Sequence, residues 1–437
     1  MSQSNKAKGK PSLSGDTNRF GVLLKKFFAG GNIKQFTMLF ALIAVILFFQ
    51  FIQPKSSGML LTPLNVSNLI FQYAYVIILA IGMLICILTG GNIDLSVGSV
   101  VAVVSAMAGY FMKEQKMDVY LSMGICLAAG LVIGVWQGFW IAYVRIPAFI
   151  VTLSSMLVFR GLTGIIVRGQ TISGLPAEFL SIFNSFLPDW LGPFTLFGVK
   201  MNGFALCTGV LLALIFTVIQ VMTYINRRRK GYPVGSIQGV VVKSSLIGIF
   251  IIALFSVLAQ HKGIPAVLLT LGVLLVVYTY LTNNTVMGRH IYALGGNEKA
   301  ARLSGVKTNK LLFFAYVNMA FLAAVAGLVT TVRHASANPT AGTGYELDAI
   351  AACYIGGASA YGGIGTIGGT LIGALLMGVL NNGMSLANIS QFMQSVVKGL
   401  VLLAAVAFDV ISKKQTALPS FHNLFNRGAK RKSVIDL

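Results

Sequence analysis

Long apolar runs alternate with short polar or glycine-rich interruptions along most of the chain, and the length of those runs sets the class of fold. A helix needs about 20 mostly apolar residues to cross a bilayer. Twelve stretches approach or meet that length: 36–53, 69–89, 95–112, 121–143, 148–167, 203–225, 244–260, 264–281, 312–332, 346–358, 361–380 and 395–411. The tenth is too short to span, so a half-helix or re-entrant segment is expected there. The pattern predicts an all-α, polytopic transmembrane helical bundle of about 10–12 membrane segments, some of them broken.

Composition strengthens this reading. A mean hydropathy of +0.81, with 56% hydrophobic and 10% charged residues, excludes a soluble globular domain. The net charge of +22 could suggest nucleic acid, but the cations lie in tails and loops and form no nucleic-acid module, so no such partner is expected. Cys86, Cys126, Cys207 and Cys353 are scattered through apolar stretches without metal-ligand spacing, and no metal site is expected.

Lys and Arg placement orients the chain, because cytoplasmic loops carry their excess. With the N-terminus inside and every stretch crossing, the inside segments hold Arg145, the Arg227–Lys230 cluster, the cations at 289–310 and those at 430–432. Both termini are expected in the cytoplasm. The expected divisions are a basic cytoplasmic N-terminal tail (1–35), a transmembrane domain (36–411) and a basic cytoplasmic C-terminal tail (412–437). Within the middle part lie an external connector (168–202), a cytoplasmic insertion (226–243) and a basic cytoplasmic island (288–310). The first polar stretch has no compact signal-peptide pattern, and no cleaved leader is expected.

The island, GRHIYALGGNEKAARLSGVKTNK, is the most informative polar stretch. Asn297 can cap a helix, Glu298 sits where a negative charge complements the helix dipole, and Gly305 can close the far end. A helix of about two turns is marginal alone in water. Something must pack on it, and the small Ala300 and Ala301 would let another surface come close. A solvated loop with a chance cap is the plain alternative.

Two further interruptions carry polar groups. In GGNIDLSVGS, Asp94 with Ser96 can cap the following helix, or Asn92 with Asp94 can face a polar solute. In TGYELD, Glu346 and Asp348 sit at a helix start; capping explains them more simply than acid–base catalysis, and no His, Cys or Ser arrangement accompanies them. No catalytic residues are expected. Gly130, Gly134 and Gly138, and Gly365, Gly369 and Gly373, repeat every four positions and predict close helix packing, within or between subunits. The string Ile146-Pro147-Ala148, Thr152-Leu153 recurs as Ile264-Pro265-Ala266, Thr270-Leu271, starting at opposite faces on this topology, which points to inverted repeats. Arg160, Lys398 and Asp409 are the charges inside apolar runs, and they can snorkel or pair.

All four histidines lie in loops or tails, which weighs against a proton relay. The chain has no GxxxxGK[ST] loop, so any nucleotide that drives it must bind another polypeptide.

Taken together, GGNIDLSVGS, IPAFIVTLSSMLVFRG, GRHIYALGGNEKAARLSGV, ELDAIAACYIGG and NNGMS with VKGLVLLAAV resemble the membrane permeases of bacterial ATP-binding-cassette sugar importers. The likeness runs over about residues 60–411 and is nearest to the xylose and multiple-monosaccharide permeases, relatives of the ribose permease. It implies a bacterial inner-membrane permease that pairs with a second copy, two cytoplasmic ATPase subunits and an extracytoplasmic sugar-binding protein. ATP and Mg would be bound by the ATPase, with no cofactor in this chain. The coupling helix that docks on the ATPase would correspond to Gly295, Gly296, Asn297, Glu298, Ala300, Ala301, Arg302, Leu303, Ser304 and Gly305. The segments holding Asn92, Asp94 and Ser96, and Glu346 and Asp348, would line or gate the passage of a monosaccharide such as xylose, glucose, galactose or arabinose. The competing readings are an ion-coupled secondary transporter, a branched-chain amino acid permease of the same superfamily, and a membrane-embedded enzyme or scaffold.

Overall fold

The structure, a computed structural model, describes residues 33–52, 60–196, 198–232 and 237–414. The expected tails therefore lie almost wholly outside the described residues, as does part of the 226–243 insertion. The helices are α1 (Ile33–Ile52), α2 (Pro63–Leu88), α3 (Val97–Gly109, continued by a π turn to Glu114), α4 (Val119–Ala142) and α5 (Ala148–Ile166). They continue as α6 (Ala177–Asn184), α7 (Gly203–Arg229), α8 (Ile237–Ala259), α9 (Ala266–Asn284), α10 (Val286–Gly296) and α11 (Glu298–Leu303). The last four are α12 (Thr308–His334), α13 (Tyr345–Ile355), α14 (Ile367–Leu386) and α15 (Gln391–Lys414). Among the described residues, ten helices are long and apolar enough to cross a membrane.

Local chemistry starts many of them. Thr62 precedes Pro63 and accepts from the Asn65 amide, Asp118 accepts from Leu121, Asn202 from Ala205, and Thr366 from Gly369. Helices α2, α3, α12 and α14 are mostly buried, whereas α4, α5, α7, α8, α9 and α15 leave most of their surface uncovered. The uncovered side chains are apolar, with Val276 on α9 71% exposed and Phe392 on α15 87% exposed. Such a surface suits lipid and not water.

The small-residue face of α4 packs inside the subunit. A Cβ on Gly130, Gly134 or Gly138 would meet Ala324, Val317 or Phe313 of α12. On α14, Gly369 and Gly373 lie against the Gly356 and Ala352 carbonyls, again within the chain. Gly365 stands before α14 begins and does not share that face. Most of the 226–243 stretch is helical: α7 continues to Arg229 and α8 begins at Ile237, because the basic and apolar residues there are compatible with continuing helix.

Two ends of the bundle are distinguished by what lies there. The connector carries β1 (Ile172–Ser173), α6 and a hairpin of β2 (Pro193–Leu196) with β3 (Val199–Asn202). The start of α9 is tied to it, since Leu187 N donates to Ile264 O and Ala266 N to Ser185 O, each at 2.9 Å. By contrast Arg145, just before α5, binds the island. The two Ile-Pro-Ala strings thus begin helices at opposite ends of the bundle.

After α12 the chain pairs β4 (Ser336–Ala337) with β1 at the connector end, then dips back along α3. Ala337 packs on Gly109 and Gly342 on Gly98, so the dip covers about 16 Å of α3. Helix α13 then has only 11 residues, about half of a bilayer's hydrocarbon thickness. The short tenth apolar stretch is therefore a half-helix preceded by a non-helical segment, and together they run from the connector end to the end that holds the island.

Candidate functional site

The island folds into two helices. Thr285 caps α10 by accepting from Gly288 N at 3.1 Å, and Tyr292 of α10 donates to Gly365 O at 2.8 Å. Gly295 fits where no side chain can, because a Cβ would run into the Leu88 carbonyl and the Gly363 amide. Gly363 N in turn donates to Leu88 O at 3.2 Å, and Gly362 lies against Gly90. The end of α10 is thus wedged between the glycine break after α2 and the connection from α13 to α14.

Gly296 ends α10 in open space. Asn297 Oδ1 then accepts from Ala300 N at 3.0 Å and starts α11, which ends at Ser304 with Gly305 left-handed at φ +84°. Glu298 is held by Arg145 at 2.8 Å, and the same guanidinium binds Thr308 Oγ1 at 3.3 Å and Asn309. Ala301 turns inward and is buried, so it offers no surface to a partner. Lys299, Ala300, Arg302 and Leu303 face outward, and Leu303 is 90% exposed. The result is an apolar knob with a basic rim on a helix locked to the body of the protein.

The interior candidates differ from one another. Asn92 is half-buried and donates to Thr89 Oγ1 at 3.2 Å. Asp94 is buried; its Oδ1 accepts from Ser96 N at 2.8 Å and Ser96 Oγ at 2.6 Å. Gln137 of α4 donates to Ser96 Oγ at 2.5 Å, a partner sequence reasoning missed. Asp348 is also buried, and it takes the Tyr75 hydroxyl at 2.8 Å and the Lys398 ammonium at 3.0 Å. Tyr75 stacks on Tyr345 with ring centroids 3.7 Å apart. Glu346 is half-buried, its carboxylate against Gly98, and Arg160 lies within electrostatic range. Among the described residues no group of His, Cys, Asp and Glu could hold a metal.

Arg145 was legible only as a topological charge, although its expected position on the island's side of the membrane was the available signal. Tyr75, Tyr292 and Gly363 gave none, since each becomes relevant through a contact that the fold creates.

A polytopic helical bundle with a half-helix, glycine breaks packed backbone against backbone, and a fixed helix displayed at one end fits a membrane transport permease. The chain matches a family profile described as "Branched-chain amino acid transport system / permease component" over residues 65–406, and it belongs to that family. It is 36% identical over 385 residues to the xylose transport system permease protein XylH of Escherichia coli (strain K12), covering 88% of this chain and 94% of that one. Its similarity to the XylH protein of Haemophilus influenzae is 35% over 386 residues, 88% and 98% of the two chains. With the ribose import permease protein RbsC of E. coli K12 it is 34% identical over 351 residues, 80% and 86% of the two chains. No solved structure matches the chain.

Proposed function

We propose that the chain is the permease subunit of an ATP-driven importer and forms the path for a monosaccharide, xylose or several sugars such as glucose, galactose or arabinose. The xylose and ribose permeases it resembles support the sugar class. The observation that carries the coupling role is Leu303, 90% exposed beside Arg302 on the capped helix α11, which directly follows the wedged end of α10. An apolar side chain so displayed at a polar end suits a groove on a soluble partner.

In this reading the partner is a cytoplasmic ABC ATPase that binds ATP and Mg, and the permease has no ATPase site of its own. Within Gly295–Gly305, the outward Lys299, Ala300, Arg302 and Leu303 are its docking face. An extracytoplasmic binding protein delivers the sugar at the connector end, and a second permease copy completes a homodimer in the bacterial inner membrane. Both termini then face the cytoplasm. Closure of the ATPases pushes α11, and α10 carries the push to the breaks at Gly90–Gly91 and Gly362–Gly363. The bundle alternates between outward and inward openings, with Asn92–Ser96 and Glu346–Asp348 in the elements that move.

The test is reconstitution of the permease with its ATPase and binding protein in proteoliposomes. Uptake of labelled D-xylose should require ATP. Uptake without ATP under an ion gradient would replace this reading with a secondary carrier. The family description favours a second solute, branched-chain amino acids. Competition by leucine but not by pentoses would select it.

A further inference from the structure

Charged and hydroxyl groups reach an open surface between the connector end and the middle of the bundle. Arg160 lies 12 positions beyond Ala148, about 18 Å along a helix about 28 Å long. Its Nη1 donates to Ala341 O at 2.6 Å and Pro339 O at 3.4 Å, which leaves the rest of the guanidinium fork unbonded. Glu346, at the first turn of the half-helix α13, attracts Arg160 without an ion-pair contact; among the described residues the ion pairs are Arg145–Glu298 and Lys398–Asp348. Asn338, Thr340 and Thr343 on the non-helical segment before α13 are exposed. Beside Arg160, Gly161 opens onto free space.

The Thr340 and Thr343 hydroxyls bond within their own segment, to Asn338 Oδ1 and to Thr340 O, but they remain exposed beside the unbonded donors of Arg160, and such groups are costly against lipid. They suit the wall of a water-filled passage. A donor fork and a carboxylate near each other but without an ion-pair contact can bond a solute whose hydroxyl groups both donate and accept.

We propose that Arg160 and Glu346, with the rim of Asn338, Thr340 and Thr343, form a station in the passage that takes a neutral polyhydroxylated solute, a monosaccharide. This rests on the importer reading and adds to it a place where the sugar is handled. The buried Asp94, Ser96 and Asp348 hold the framework around that station.

Two experiments test it in the reconstituted importer. The first uses Cys207→Ser to remove the one exposed native thiol among the described residues. Thr340→Cys and Thr343→Cys should then react with a charged, membrane-impermeant methanethiosulfonate in at least one nucleotide state. The lipid-facing control Val276→Cys should not. Reaction of positions 340 and 343 with a lipid-soluble maleimide alone, or with neither reagent, overturns the proposal.

The second experiment compares uptake of D-xylose and D-ribose by Arg160→Gln and Glu346→Gln. Each variant should lower uptake about tenfold, the size of one lost charge-assisted hydrogen bond. The ratio between the two pentoses should shift, and ATPase stimulation by the loaded binding protein should persist. An equal fall for both sugars together with lost stimulation would mean that Arg160 only pins the segment at Ala341. Unchanged transport of both sugars would also remove the station, with the importer reading intact because the wild-type protein still imports sugar with ATP. If the wild-type protein imports no sugar with ATP, the importer reading itself fails and the sugar assignment with it.

Discussion

Asp94 and Asp348 are both buried carboxylates beside helix starts, yet they are satisfied in opposite ways. Asp94 bonds through one oxygen to Ser96, two residues away, and its Oδ2 is buried without a partner. Asp348 draws its partners from 273 and 50 positions away, Tyr75 on α2 and Lys398 on α15. The first carboxylate shapes its own turn. The second joins three helices, one of which, α15, is otherwise mostly uncovered. A local bond holds a break in shape, whereas a long-range ion pair ties a peripheral helix to the half-helix beside it.

The sharpest way to break this contrast is Lys398→Met. It leaves Asp348 as an uncompensated buried charge and should cost about 3–5 kcal/mol. Thermal unfolding in detergent should show the loss, and Lys398→Met combined with Asp348→Asn should recover most of it. A single variant as stable as the wild type would remove α15 from the ion-pair account.

Ser96→Ala tests the local side. It removes the hydroxyl that donates to Asp94 and accepts from Gln137, at a cost of about 2 kcal/mol. The double variant with Asp94→Asn should be less than additive in the same melting assay, because the two residues share one network. Additive losses would mean that the two act separately.

Gly295→Ala probes a contact made by backbone alone. Its new Cβ must displace the Leu88 carbonyl or Gly363, which should cost about 1–3 kcal/mol. ATP-driven uptake should fall more steeply than stability, since the wedge joins the displayed helix to both breaks. A smaller effect on stability is expected for Arg145→Ala, because exposed ion pairs contribute about 0–1 kcal/mol. Uptake should nonetheless drop, because α11 loses its tie to the start of α5. Equal melting temperature with unchanged uptake would make that tie incidental.

The same division between local and distant explains what could be read in the sequence. The apolar runs, the half-helix at the tenth stretch, the Asn297 cap and the Gly305 stop all depend on neighbours in the chain, and all were legible; Asp94 and Ser96, read as a cap for the next helix, bond to each other instead, and the Ser96 side chain caps nothing. The inward turn of Ala301 was not, since helix phase relative to the protein body is set by tertiary packing. Helix α10 was hidden because Gly288–Gly296 mixes polar, glycine and apolar residues and takes its stability from the wedge at Leu88 and Gly363. Pairings such as Arg145 with Glu298 or Lys398 with Asp348 span 153 and 50 positions, and nothing in either local pattern announces the other. The positions of Arg160, Lys398 and Asp409 inside apolar runs showed that these charges could snorkel or pair, and Lys398 does pair.

The central claim is that the displayed helix α11 couples this permease to a separate ATPase, and Leu303→Asp tests it most directly. The side chain is 90% exposed and should not affect folding, so the melting temperature of the purified permease should match the wild type. The account predicts that the ATPase subunit is lost during purification of the complex and that ATP-driven D-xylose uptake falls to background. Retention of the ATPase with uptake at the wild-type rate would contradict it.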